Sequence, residues 1–392
     1  MRCWRFCARS SMAWAMTRSL SLKNILRSPP IWVAVAIAFC SPARAQVGST
    51  ALSPLQRVAP PFTANKLAIL ARLRDKDFRG LDAEFESYQR ACEKNPAAEL
   101  NEKLAFDSFA TDDAAVGDLI ADWIKAKPNS FAAHLARGSY FSWRGWRVRS
   151  NFADSGTTSA PAGTTRDYFA RSAAELRTAL RIRPRLSIAY ALLLGEARGE
   201  EDRPLQQKIG TAGLRELPAS FVIREEAMEC LYPRWEGSHQ QMLDFAQQSQ
   251  AHAKENPCLH WLLGFVDRDD GETLAIDGAL DKSIAALTRA IHEGGDYSGF
   301  YFSRGESYLH RELYEQALED FNRADELSPQ DPELIIRRAA TLARLERPKD
   351  ALVDLKFVAI FEAPDDFSIQ LHDWAVAAMK EQHESEDHGH DP

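Results

Sequence analysis

The chain has 392 residues, 45% hydrophobic and 27% charged, with 20 Gly and 19 Pro, a globular composition that excludes a disordered, collagenous or disulfide-scaffold protein. That length exceeds what one hydrophobic core covers, and it predicts two domains or an array of repeats. Seven basic residues and no acid fall in the first 45; the remainder holds 41 Lys+Arg against 56 Asp+Glu, a net charge of −15 that repels phosphate and excludes general nucleic-acid binding away from a local basic patch.

Residues 1–45 hold a leader, with Met12 and Met16 as alternative starts. Within it, 17–45 read as a secretory signal peptide: Arg18, Lys23 and Arg27 precede an apolar run from Ile31 to Cys40, and Ala43-Arg44-Ala45 forms a cleavage site before Gln46. The run of ten is too short to span a bilayer, which needs about 20 residues. An uncleaved amphipathic anchor is the alternative. Phe39 before Cys40 does not fit a lipid-anchor site, so the mature chain is expected to be periplasmic or secreted. Past the leader, Cys92, Cys230 and Cys258 are odd in number and contain no C-x-x-C pair, which supports neither a redox motif nor a Cys-based zinc site.

Residues 46–63, with Pro54, Pro60 and Pro61, read as a linker. From there on, apolar residues follow helical spacing, as in Leu67, Leu70, Leu73 and Leu81, Phe85, Tyr88, and no strand-like alternation is found. The predicted class is all-α. Gly305, Tyr308, Ala317, Phe321 and Ala324 are matched one period later, a period of about 34 residues, by Ala339, Leu342, Ala351, Leu355 and Val358. One period earlier the second-helix positions hold Ser283, Leu287 and Ala290. Small residues recur where two helices cross closely, and large apolar ones where a helix fills the gap to its neighbour. Over about 279–362 this pattern resembles the tetratricopeptide repeat, a helix–turn–helix unit stacked into a solenoid.

Helix-ending residues extend the array upstream. Pro128, Pro184, Pro218, Pro257, Gly295, Pro329 and Pro364 lie at intervals of 56, 34, 39, 38, 34 and 35 residues. The one long interval is explained by a flexible insertion, 150–164, rich in Ser, Thr, Gly and Ala. The expected organisation is a degenerate helical-repeat domain over 64–270, tetratricopeptide repeats over 271–380, and a structureless acidic, His-containing tail over 381–392. A second resemblance covers about 66–270. Trp123, Lys127-Pro128-Asn129-Ser130, Ala136-Arg137-Gly138, Trp146 with Arg149, and Tyr232 to Ser238 resemble the bacterial family 4034 of domains of unknown function, which implies a helical fold and no particular activity.

Candidate chemistry is sparse. Asp267 to Glu272 suggests a calcium loop, but its oxygens and glycine fall out of EF-hand register, and a solvated polar turn is the better reading. His383, His388 and His390 in the tail do not make a convincing metal site. No nucleophile elbow, phosphate loop, H-E-x-x-H or dinucleotide fingerprint is present, and the remaining histidines share no spacing. No enzymatic activity, metal or cofactor is expected. The cluster Trp143, Arg144, Trp146, Arg147 and Arg149, with Arg137, stands apart as a positive island suited to an anionic partner. The competing reading packs the tryptophans under the following loop and pairs the arginines with the protein's own acids.

The sequence therefore predicts an exported interaction module or scaffold that binds a peptide or partner protein, not nucleic acid, in a concave groove. In proteins resembling this repeat family the groove is lined from the first helix of each unit, and the corresponding positions here are Phe302, Glu306, Leu309, Glu333, Ile336 and Ala340. The alternatives are an enzyme with a site near the 150–164 loop and a cell-envelope assembly factor. Helix register places Cys230 and Cys258 about 15 Å apart along parallel neighbours, too far for a disulfide, whose Cα atoms lie within about 7 Å.

Overall fold

In the computed structural model, residues 61–154, 162–361 and 366–388 are described. The leader, residues 46–60 of the linker and residues 155–161 of the expected insertion lie outside them; 150–154 and 162–164, expected to belong to a flexible loop, instead continue the two flanking helices. Taken two by two in chain order, the helices of the described residues make eight successive pairs and a closing helix; the second pair is one in sequence only, its first helix packing on the helix before it. The pairs are α1 (Lys66–Arg74) with α2 (Phe78–Lys94), α3 (Glu99–Phe106) with α4 (Ala114–Ala126), α5 (Phe131–Asp154) with α6 (Ala162–Ile182), and α7 (Ser187–Gly199) with α8 (Arg203–Glu216). They continue as α9 (Phe221–Glu229) with α10 (His239–Ser249), then a 3-10 segment Pro257–Gly264 leading into α11 (Phe265–Ile276) with α12 (Leu280–Gly294). The last are α13 (Ser298–His310) with α14 (Tyr314–Leu327) and α15 (Pro332–Arg344) with α16 (Pro348–Phe361), closed by α17 (Asp366–His388). The architecture is an all-α, tetratricopeptide-like solenoid.

Local chemistry sets the helix ends. Asn65, Asp77, Asp113, Asp202, Ser220, Ser238 and Asp331 each accept a first-turn N–H through the side chain. Five of the turns within pairs share one design. Lys76, Glu201, Gly278, Glu312 and Glu346 sit at φ of 56, 61, 78, 63 and 56°. Each closes a Schellman pair of hydrogen bonds onto the preceding helix, as in Glu312 N–H to Leu309 O (3.1 Å) and Leu313 N–H to Tyr308 O (2.9 Å). The last three are spaced by the repeat period, and Lys76 carries the same turn upstream of Pro128, where the sequence pattern fades.

Packing repeats with the same period. A Cβ on Gly271 would come within 2.5 Å of Leu287, and one on Gly305 within 2.9 Å of Phe321, so only a small residue lets the two helices of each unit cross. Arg304 makes two 2.8 Å hydrogen bonds to Asp320, and one period on Arg338 makes the same two to Asp354. Both aspartates are buried.

The solenoid closes on itself. The main core runs through the first four pairs and takes in Phe361 from the eighth. Thr111, after α3, donates to Phe361 O at 2.6 Å. Lys66, opening α1, bonds Gln330 in the turn before α15. Helix α3 lies inside the coil, where Glu99 accepts the Phe221 N–H (2.6 Å), the Ser220 hydroxyl (2.6 Å) and the Asn256 amide (3.2 Å), capping α9 from outside its own chain segment. Burial drives the Glu99 carboxyl up to about 7 despite these donors.

Two further expectations change. Residues 381–388, expected to be structureless, continue α17, whose Leu371 and Ala375 are buried. Asp267 to Glu272 is not a polar turn but part of α11, with Asp269 buried against Arg234 (3.2 Å) and His239 (2.9 Å). Among the described residues, Cys92, Cys230 and Cys258 are free thiols, and no helix is long and apolar enough to cross a membrane.

Candidate functional site

The arginine–tryptophan cluster lies on the second half of α5, and its charges are turned largely inward. Arg144 donates to the hydroxyls of Tyr168 (3.3 Å) and Tyr140 (3.2 Å) and to Asp112 O (3.2 Å). Arg147 pairs with Asp112 at 3.6 Å and covers the Trp143 ring. Arg149 donates to Gly199 O, pairs with Glu201 at 3.6 Å and covers Trp235. Arg137 pairs with Glu175 at 3.4 Å. Trp146 meets Phe169 edge-on at 5.5 Å, and Arg198 stacks between Trp146 (5.1 Å) and Trp235 (5.3 Å). The positive island thus ties α5 to α7 and to the turn after α9. Sequence reading saw the cations but not their acids, because Asp112 and Glu201 are distant in the chain.

The groove positions divide. Leu309 is buried between α13 and α14 with Ala317 and Phe321, so it faces a helix partner rather than a groove. Ile336 and Phe302 are half-buried against Leu334, Ile335 and Val358. Glu306 pairs with Arg337 at 3.2 Å. Phe302 and Glu333 also reach the wall of a cavity of about 730 Å³, bounded by Leu100, Lys103 and Leu104 of α3 on one side and by Trp261, Tyr297 and Leu334 on the other. Helix α3 therefore occupies part of the concave face that the repeat pattern assigns to a partner, and the cavity is what remains open.

Charge lines this cavity in pairs. Lys103 lies 3.3 Å from Asp107, Arg323 2.7 Å from Asp296, and Arg268 2.7 Å from Glu272. Tyr297 donates its hydroxyl to Glu225, whose carboxyl is raised by burial against the pull of Lys103 and Arg268. Glu333 is open to water, yet the protein around it strips enough solvation to raise its carboxyl to about 7; Asp331 and Glu306 add to the rise, and Arg337 and Arg147 oppose it. The indole N–H of Trp261 has no acceptor although the residue is 6% exposed. The sequence held a signal for Phe302 and Glu333 through their repeat positions, but none for the α3 residues, which belong to no recognisable unit. Among the described residues no cluster of His, Cys, Asp or Glu is placed to hold a metal ion.

Residues 66–199 match the family described as a domain of unknown function, DUF4034. The match spans α1 to α7 and ends before Tyr232–Ser238. Its quoted positions are structural: Trp123 is fully buried and donates to Asp82 at 3.1 Å, Ser130 shares that carboxylate, and Gly138 lies against Leu176. A DnaJ homolog subfamily C member 3 homolog of Dictyostelium discoideum is 35% identical over 71 residues, which is 18% of this chain and 14% of that protein. Among solved structures, yeast Tom70 aligns over 71% of this chain and 60% of its own, at 13% identity and a TM-score of 0.35. The APC/C hetero-tetramer Cut9-Hcn1 aligns over 77% and 59%, at 12% identity and a TM-score of 0.31. The chain spans less than two thirds of each of these relatives.

Proposed function

We propose that this chain is an exported interaction module, a helical-repeat scaffold that holds a segment of a partner protein inside its closed superhelix. One observation carries the reading: the concave face keeps a cavity of about 730 Å³, in the size range of ligand sites, walled by aromatic rings and carboxylates. Such a space suits a short segment of an extended chain better than a whole helix, because α3 already fills part of the groove. Export rests on the leader, with its basic residues, short apolar run and cleavage site.

The test is affinity capture from the periplasm of the source bacterium at low and high salt, with two variants. Glu333 is exposed within the cavity, so Glu333→Trp fills the space without disturbing helix packing. Val353 is 65% exposed on the outer face, so Val353→Trp adds the same ring elsewhere. A partner lost only with Glu333→Trp supports the cavity; one captured equally by both variants binds some other surface. Terminal sequencing of the native protein checks export, and a chain that retains Ile31 to Cys40 would mean an anchor.

A further inference from the structure

The cavity lies on the line where the coil closes. Pro61 and Phe62, just ahead of α1, and Leu100 and Leu104 of α3 belong to one wall. Ser328, Pro329 and Asp331, in the turn before α15, belong to the facing wall. Gln330, in the middle of that turn, is the residue that Lys66 holds through its backbone N–H (2.9 Å) and its ammonium (2.8 Å). The two walls are thus joined at the cavity rim by residues 264 apart in the chain.

Two features make this seam a thin joint. Consecutive units such as α13–α14 and α15–α16 pack helix along helix; among the described residues, no helix of the first two pairs runs along α15, α16 or α17. The seam is made at points instead: Lys66 on Gln330, the Thr111 hydroxyl on Phe361 O, and the Phe361 ring in the first core. Contacts this sparse put a joint at the low end of local opening free energies. The second feature is the cost of closing it. Lys66 is 4% exposed, and its ammonium has Gln330 O and the Phe361 ring in place of water. Burial pulls that ammonium below its ordinary range, although Asp107 and Asp331 act to hold it up. A charge buried with so few acceptors regains hydration when the seam parts. Helix α3, by contrast, stays anchored: Glu99 accepts from Phe221, Ser220 and Asn256, which fastens this wall to α9. Parting Lys66 from Gln330 therefore widens the cavity about the α3–α9 joint without unwinding a helix.

We propose that the seam between Lys66 and Gln330 is the gate of the cavity: it parts to admit the partner segment and closes over it. Water reaches the cavity with the gate shut, since Glu333 is exposed there, but a length of polypeptide enters only when the two walls separate. This inference rests on the cavity reading above and names the route by which that site is filled.

Ser298 lines the cavity half-buried, and Ser298→Cys places a thiol there with little change of volume. The purified mature protein carrying it is treated with N-ethylmaleimide or with a maleimide-capped Gly-Ser decapeptide, a probe about as long as the segment to be admitted. Modification is read at each cysteine by mass spectrometry, so that the buried thiol of Cys258 reports general unfolding. Lys66→Met should speed the decapeptide reagent at position 298 by ~10-fold or more, the factor that about 1.4 kcal/mol yields. N-ethylmaleimide should change by less than ~2-fold there, and Cys258 should not respond. Gln330→Gly, which deletes the Oε1 acceptor but tolerates the left-handed turn at φ 65°, should act in the same direction. Decapeptide modification as fast as that of a free thiol before either change means that the cavity stands open, and rates unmoved by both changes mean that the seam is not the way in; each overturns the gate. Equal acceleration at Cys258 overturns it as well, because the whole fold is then loosening. The rates are read without a partner, so the gate can fail while capture blocked by Glu333→Trp still upholds the cavity. Capture indifferent to Glu333→Trp removes the cavity reading, and the gate with it.

Discussion

Lys66 bonds Gln330 twice across 264 residues, from its backbone N–H to Oε1 at 2.9 Å and from Nζ to the backbone oxygen at 2.8 Å. Its ammonium also lies 5.9 Å from the Phe361 ring centroid. One residue at the start of the solenoid thus holds both the seventh-to-eighth turn and the end of the eighth pair, and the superhelix becomes a closed body with an interior.

Removing that closure should open the coil before it unfolds it. Lys66→Met with Thr111→Val deletes the charged hydrogen bond and the one to Phe361, each worth about 1–3 kcal/mol. Small-angle scattering should show a larger radius of gyration, and hydrogen exchange should quicken in α1 and α15 while α9 stays protected. Unchanged scattering would mean that the apolar contacts of Phe361 and Phe357 suffice.

The recurring arginine–aspartate pairs should be asymmetric in their effects. Arg304→Met leaves Asp320 buried without its cation, a loss of about 3–5 kcal/mol. The double change Arg304→Met, Asp320→Leu removes the stranded charge and should recover most of that stability. Denaturant titration of wild type, both singles and the double closes the cycle; a double variant no better than Arg304→Met would show that packing around residue 304, not charge, dominates.

Glu196 gives the fold a pH dependence. Both of its oxygens are buried beside Ser142 and Ser172 without a well-formed hydrogen bond, and burial raises the carboxyl to about 8. In this case the folded state holds the proton more tightly than the unfolded chain. The contribution to stability is therefore full below the ordinary carboxyl range near 4.5 and is lost as pH rises toward about 8. Glu196→Gln should raise the melting temperature at pH 8.5 and leave it nearly unchanged at pH 5. Equal effects at both pH values would rule out titration as the cause.

For the arginine cluster, Arg147→Glu with Arg149→Glu breaks contacts to Asp112, Glu201 and Gly199. Melting should fall by roughly 2–4 °C for each kcal/mol lost in a chain of this size. Unaltered melting together with lost partner capture would instead return these arginines to a binding role.

The strained turns offer the opposite sign. Glu312 and Glu346 occupy a left-handed conformation that Gly278 fills in the preceding unit. Glu312→Gly and Glu346→Gly should each stabilise the fold by a few tenths to about 1 kcal/mol, read as an upward shift in the denaturant midpoint.

The helical class, the repeat unit and most of the helix ends were legible in the chain alone, because they follow from short-range causes: apolar spacing, proline and glycine punctuation, and small residues at close crossings. Gly305 and Ala339 could be read this way, as could Phe321 and Leu355. The Arg304–Asp320 and Arg338–Asp354 pairs share that period and were equally available, since each spans 16 residues of one unit. Folding in three dimensions was needed to show that Leu309 faces its partner helix, that Arg147 and Arg149 find Asp112 and Glu201, and that α3 lies within the groove. The difference comes from distance along the chain. A repeat pattern specifies how neighbours stack, whereas closure of the coil depends on the accumulated twist of eight pairs and on contacts such as Lys66 with Gln330, which no local spacing encodes.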